Sequence, residues 1–377
     1  MEEWKEYKLG DILNFRRGHD LPKTSMNGGN IPVAGSNGII GYHDTATPIS
    51  PCITIGRSGN VGTPYIYDKC WAHNTVLYID DYKGNYPLYL YYLLKTLPLA
   101  SFGGGSAVPT LNRNHIHPLL IKHTPNYKTQ QNIASILKSL DDKIEVNRKI
   151  NENLEQQAQA LFKSWFVDFV PFKNGEFVES ELGMIPKGWR VGMLSEIADI
   201  TMGTSPSGTS YNTEGQGDVF YQGRAEFGFR FPQRNLYTTE AKRFAEVDSI
   251  LVSVRAPVGD INVAEERCCI GRGLASVKSK SNCDSYILYL MQSLKPVFDR
   301  FNGEGTVFGS INKKAFENIK IVIPTEKDVS VFNAIVNSMD GKIKNMEQES
   351  RRLAEIRDTL LPKLMSGELK VNEINAI

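Results

Sequence analysis

No run of apolar residues in the 377-residue chain is long enough to span a bilayer. Met1-Glu2-Glu3-Trp4-Lys5 also lacks the basic-then-apolar order of a secretory signal, so a cytoplasmic location and no membrane partner are expected. Cysteine is scarce. The five thiols, an odd number that includes adjacent Cys268 and Cys269, contain no Cys-x-x-Cys pair, which argues against a disulfide framework or a zinc site. Catalytic signatures are missing as well. There is no Asn-Pro-Pro-Tyr or Asp-Pro-Pro-Tyr stretch to hold a flipped adenine, no G-x-x-x-x-G-K-[ST] phosphate loop and no carboxylate and lysine cluster of a nuclease. A non-catalytic chain with no cofactor and no metal of its own is expected.

An excess of charge is also lacking. The formal net charge is +1, and residues 1 to 125 hold 11 Lys/Arg against 9 Asp/Glu while residues 171 to 325 hold 18 against 18. No segment is a basic block, so any nucleic-acid contact must gather its cations on one face.

What the chain does contain is an internal echo. From Asn126 to Phe169 it reads as one helix, with Ile133, Ile136, Leu137, Leu140, Ile144, Leu154 and Leu161 on a single stripe. The residues 199 positions later are Phe332, Ile335, Val336, Met339, Ile343, Leu353 and Leu360, all apolar. Asp141 lands on Asp340 and Lys143 on Lys342, and Thr325 with Asp328 after Pro324 marks a helix start. Two helices in identical phase imply an internal duplication. Asn147, in register with Met346, and the flanking pair Lys143 and Lys342 are expected to hold one alignment.

The segments before the helices also correspond. Trp4-x4-Leu9-x-Asp11-Ile12, followed by Arg16-Arg17-Gly18, returns 185 residues later as Trp189-x4-Leu194-x-Glu196-Ile197, followed by Gly203. The larger offset at the helices places 14 extra residues in the second segment, most simply between Gly203 and Arg255. Strands are expected at Cys52 to Ile55, Tyr65 to Tyr67, Val76 to Ile79 and Ile116 to Ile121, with a helix at Pro87 to Leu97. In the second segment the counterparts are strands at Ser249 to Val254 and Ala275 to Lys278 and a helix at Tyr286 to Leu294. The expected division is 1–125, 126–170, 171–325, 326–369 and a tail at 370–377.

Residues suited to nucleic acid recur in matched places. Gly103 to Asn112 and Gly303 to Asn312 both fit G-x-G-[ST]-x-x-x-[ST]-[LI]-N and lead to Arg113 or Lys313. Their Ser106, Thr306, Asn112 and Asn312 could bond to phosphate or base edges; a tight structural turn is the plainer reading. Arg57 with Asn60 and Arg255 occupy equivalent turns, and Asn74 corresponds to Gly273, next to Arg272. Arg16 and Arg17 lie near the first opening, while Gln222, Arg224 and the aromatic run carrying Arg230 lie in the longer second segment. Arg pairs with guanine and Asn with adenine in the major groove, although any one of these is equally an ordinary surface charge. All six histidines precede residue 125, and His115-x-His117, read as neighbours on one side of a strand, lacks companions for a metal.

The helix end Leu161-Phe162-Lys163-Ser164-Trp165-Phe166, the linker Gly183-Met184-Ile185-Pro186-Lys187-Gly188-Trp189 and the ending Leu360-Leu361-Pro362-Lys363-Leu364 resemble the specificity subunit of type I restriction-modification systems. The resemblance implies two mixed α/β recognition domains, each reading one half of a split double-stranded DNA sequence, and two long antiparallel coiled-coil helices related by a pseudo-two-fold axis. It further implies that the helices set the spacing and dock two methyltransferase subunits, with restriction subunits joining through the complex. S-adenosylmethionine, ATP and Mg are then expected on those partners only. Leu161, Phe162, Trp165, Phe166, Leu360 and Leu364 are the candidate partner interface. Asp248-Ser249-Ile250-Leu251 resembles the family's D-x-[IL]-L strand, but Ile49-Ser50-Pro51-Cys52-Ile53 lacks the acid, leaving that strand start open. The alternative is a helical scaffold or adaptor whose two globular ends bind proteins or other ligands.

Overall fold

The computed structural model describes residues 4–26, 28–104, 109–302 and 309–371. It is a mixed α/β protein with two helices of 40 and 41 residues, Tyr127–Phe166 and Glu326–Ser366. The second begins as the sequence indicates: Thr325 Oγ1 donates to Asp328, whose backbone N–H returns a bond to Thr325 at 3.3 Å. No helix among the described residues is long and apolar enough to cross a membrane.

The chain divides into two compact units, Met1–Val146 with Glu349–Ile377 and Asn147–Gln348. Each division therefore falls inside a long helix and not at its ends, where the sequence placed it. Packing explains this. In the first unit Ile133 and Leu137 of the first long helix share a core with Leu361, Leu364 and Met365 of the second. In the second unit Phe162 and Phe166 share a core with Phe332 and Val336. Each half-helix is thus built into the globular unit beside it.

The first unit opens with strand Lys5–Lys8, which pairs antiparallel with Leu120–His123. Its main sheet has the order Asn14–Arg17, Val76–Asp81, Cys52–Gly56, Pro64–Tyr67. Cys52–Gly56 is buried along its whole length, as a central run of β-branched residues should be. Its start at Cys52 does not require the missing acid. A second sheet sets the hairpin Ile31–Gly35 and Gly38–His43 beside Trp71–Ala72, the latter in parallel. Helix Pro87–Lys95 carries its proline at the first turn, where no N–H is needed.

The second unit repeats the plan. Arg190–Met193 pairs with Lys320–Ile323, and the main sheet runs Ala198–Met202, Leu274–Ser279, Ile250–Ser253, Ile261–Val263. The smaller sheet has grown to five strands, with Asp218–Tyr221 parallel to Cys268–Ile270 as Ile31–Gly35 is to Trp71–Ala72. Helix Asp284–Ser293 follows.

One expected strand is different. Arg113–Ile116 is a short helix because the Asn112 side chain accepts the Asn114 N–H at 3.0 Å and caps it. Pro118 ends that turn, and the strand begins only at Leu120. His115 therefore lies within a helical turn and His117 at its C-terminal end, and the two do not alternate on a strand. Lys143 also departs from expectation: it pairs with Glu349 at 3.3 Å and not with Lys342.

Candidate nucleic-acid interface

In the first unit, backbone hydrogen bonds tie five separated segments into one edge. The Arg57 N–H donates to the Thr75 carbonyl at 2.8 Å, and the Leu111 N–H donates to the Arg57 carbonyl at 2.7 Å. The Gly18 N–H reaches Val76 at 3.1 Å, and the His73 N–H reaches Ala34 at 3.0 Å. The second unit makes the same edge. Ile311 donates to Val254 at 3.1 Å, Gly203 to Leu274 at 2.9 Å and Gly271 to Tyr221 at 2.8 Å. Glycine is required at both crossings: a Cβ on Gly18 would lie 2.0 Å from the His73 carbonyl oxygen, and one on Gly203 would lie 2.2 Å from that of Gly271.

Several predicted residues meet on these edges. Arg16 and Arg17 are exposed on the strand Asn14–Arg17. Arg57 lies close enough to Arg17 that burial, and then the Arg17 charge, lower its pKa. Two neighbouring guanidiniums make this edge locally positive although the chain's net charge is only +1, with Asp20 3.9 Å from Arg17. Asn60 is exposed in the same turn as Arg57. On the second edge Arg255 and Arg272 are exposed, and the Arg272 N–H is fixed by Ser205 Oγ at 3.3 Å. Gln222 is exposed beside them; an added Cβ on Gly273 would sit 2.7 Å from its carbonyl oxygen. Arg224 joins this side through an ion pair with Asp260 at 2.5 Å.

Other predicted residues have local work. Asn74 donates to Asp20, Arg113 donates to the Phe15 carbonyl at 3.0 Å, and Lys313 pairs with Glu317 at 3.5 Å. Asn312 caps the helix Lys313–Glu317 by accepting the Ala315 N–H at 2.9 Å, as Asn112 does in the first unit. The plainer reading, a structural turn, thus accounts for both asparagines. Ser106 and Thr306 lie outside the described residues.

Arg230 requires correction. It is buried, with its guanidinium donating to Asp340 at 2.7 Å, to Glu155 and to the Tyr289 hydroxyl at 3.0 Å, so it presents nothing to DNA here. The aromatic helix end is likewise packed inside the second unit. Phe162 and Phe166 are core residues, and Trp165 packs in tilted or edge-on contact with Phe332, Phe166 and Phe172 at ring distances of 6.0 to 6.4 Å while Leu161 lines the same core. Leu364 is fully buried in the first unit, with Leu360 against the same core. Phe162, Trp165 and Phe166 stabilise the second unit itself, because the incoming linker covers them with Phe172, Ile185 and Trp189. His117 is similarly structural, its Nε2 accepting the Phe15 N–H at 3.2 Å, whereas His115 is exposed. No cluster of three metal-ligating groups occurs among the described residues.

Comparison with known proteins fits this doubled, loop-built edge. The family pattern described as Type I restriction modification DNA specificity domain matches residues 1–156 and again 186–355. The chain belongs to that family. Two Methanocaldococcus jannaschii chains named as type I specificity subunits, MjaX and MjaIX, are 34% and 31% identical to it over 76% of this chain and 68% and 70% of theirs. The Haemophilus influenzae type I restriction enzyme HindI specificity subunit is 24% identical, covering 98% of this chain and 100% of that one. In fold, the type I restriction-modification S subunit from M. genitalium superposes with a TM-score of 0.64 at 18% identity, over 96% of both chains.

Within this specificity subunit the sequence reading missed one part of the first edge. Ser36 and Asn37 form the two-residue tip between Ile31–Gly35 and Gly38–His43; because Ala34 takes the His73 N–H as Tyr221 takes that of Gly271, Gly35 and Ser36 stand where Gln222 and Gly223 stand after Asp218–Tyr221. The available signal was Asn37-Gly38 between two apolar runs, a strong hairpin mark.

Proposed function

We propose that this specificity subunit is the non-catalytic DNA reader of a type I restriction-modification complex, each unit recognising one half of a bipartite sequence. The observation that carries this is the repetition of one edge: a crossing glycine and an arginine-bearing turn occur in both units with matching backbone bonds, made by Arg57 in the first and by Val254, next to Arg255, in the second, and an asparagine-capped segment follows the glycine-rich loop in each. Equal frames with unequal loops suit two different half-sites. The matched strand orders and the family pattern's two matches support an internal duplication with a pseudo-two-fold axis. Asp141 with Arg357 in the first unit and Asn151 with Glu347 in the second support an antiparallel, coiled-coil-like helix pair acting as spacer. Docking of two methyltransferase subunits, and of restriction subunits through them, is part of the same reading, which the family match supports. S-adenosylmethionine, ATP and Mg belong to those partners, and the complex is placed in the cytoplasm.

Exchanging residues 1–125 for the equivalent unit of a relative tests the reading. One half of the modified sequence should change while the other stays. Change in both halves would overturn modular reading, and loss of all sequence preference would favour the adaptor alternative.

A further inference from the structure

The hairpin Ile31–Gly35 and Gly38–His43 is unusual in what it leaves exposed. Ile39, Ile40 and Tyr42 are 52%, 45% and 51% accessible on the outer strand of the three-stranded sheet. Single exposed apolar residues are ordinary, but edge strands are normally blunted by charge, and three in four residues need an occupant. The hairpin is firmly rooted: Trp71, on the strand beside it, packs between His19 and His43 at ring distances of 5.3 and 5.2 Å. Gly35 leaves room for Ile40, whose Cγ2 would lie 2.6 Å from an added Cβ, and Met26 covers Gly41. The base is rigid and the tip is exposed.

Position selects the occupant. Ser36 Oγ lies 3.4 Å from where a Cβ on Gly59 would stand, so the tip adjoins the turn of Arg57 and Asn60 and the positive field of Arg57 with Arg17. An apolar ribbon continuous with a cationic turn is complementary to duplex DNA, whose major groove admits a two-stranded β-ribbon and offers thymine methyl groups to apolar side chains. We propose that this hairpin is the groove-entering element of the first unit, with Asn37 reading an adenine edge and Ile39 a neighbouring thymine methyl. The inference rests on the DNA-reading function above and names residues that carry it.

The test selects randomised duplexes on the chain assembled with its methyltransferase subunits, comparing wild type, Asn37→Ala, Ile39→Ser and, as a second-unit control, Arg272→Ala. Thermal unfolding is recorded for each. Asn37→Ala should relax one A·T position of a single half-site by about 5- to 100-fold, with the other half-site intact. Ile39→Ser should relax the adjacent A·T pair, and Arg272→Ala should leave that half-site alone. Unchanged half-sites, a relaxed G·C position in Asn37→Ala or a uniform loss of affinity without relaxed preference would overturn the proposal. Loss of assembly in Ile39→Ser with wild-type selectivity in Asn37→Ala would assign the strand to a protein partner instead, also overturning it. If wild type selects no two-part sequence, the DNA-reading function itself fails, an outcome distinct from failure of the hairpin alone.

Discussion

In both units a tyrosine on the short helix donates to an aspartate on a long helix: Tyr92 to Asp141 and Tyr289 to Asp340, each at 2.7 Å. Burial raises the pKa of both hydroxyls and keeps them donors. The counter-cation differs. Asp141 receives Arg357 at 2.6 Å, from the second long helix. The residue 199 positions before Arg357 is Ala158, fully buried, so the first long helix offers Asp340 no such partner. Arg230 fills the vacancy from the segment that makes the second unit longer, and it takes Glu155 as well. The extra segment is thereby fastened to both long helices within its unit. The comparison teaches that a repeated interaction can keep its chemistry while its donor moves to another part of the chain.

Removing each arginine should separate the two solutions most clearly. Arg230 is 5% exposed and serves two carboxylates, so Arg230→Met should cost the second unit about 3–5 kcal/mol by stranding buried charge. Arg357 and Asp141 are 20% and 28% exposed, and Arg357→Met should cost the first unit only about 1–2 kcal/mol. Urea unfolding with hydrogen exchange read separately for peptides of each unit measures both. Equal costs would break the contrast. Partial recovery in Arg230→Met with Ala158→Arg would sharpen it, by returning the cation to the place it holds in the first unit.

The crossing glycines test the part of the comparison where the units agree. Gly18→Ala and Gly203→Ala each force a Cβ against a carbonyl oxygen that belongs to the main chain and cannot swing aside. Each should destabilise its own unit by about 3 kcal/mol and weaken the matching half of DNA recognition, the other half being spared. A large effect at one glycine and none at the other would show that the two edges are not equivalent.

Much of this was legible in the sequence because it follows from local periodicity. The helix stripe around Ile133 and Phe332, the buried strand at Cys52 and the Thr325 cap each depend on neighbours a few residues away. The matching turns of Arg57 and Arg255 were legible by repetition. Arg230 was not, because its burial depends on Glu155 and Asp340, 75 and 110 residues distant, and nothing near it in sequence distinguishes it from a surface cation. The helix Arg113–Ile116 was hidden for a related reason: apolar residues around Ile116 and Ile121 suit a strand until the Asn112 cap is known. Trp165 and Phe166 look like an interface when only their own helix is considered, whereas Phe172 and Trp189 arrive later in the chain to cover them.

The smallest expected difference between the units comes from histidine. All six lie at positions 19 to 123, within the first unit, and none in the second. Burial lowers the pKa of His123 to about 4, and burial with the Arg113 charge lowers that of His117. An unfolded histidine titrates near 6.5, so between about pH 4 and 6.5 the unfolded chain holds more protons than the folded one. Stability then rises with pH across that window: the contribution is fully present above about pH 6.5 and is lost as pH falls toward 4. At pH 5 the loss from His123 should be about 1–2 kcal/mol. Hydrogen exchange corrected for intrinsic rates should therefore show the first unit weakening more than the second between pH 7 and pH 5. His123→Phe should narrow that gap, because the side chain packed near Tyr7 and Tyr89 no longer takes up a proton on unfolding. An equal pH response in both units, or a gap unchanged by His123→Phe, would place the acid sensitivity in the carboxylates they share and not in the histidines that set them apart.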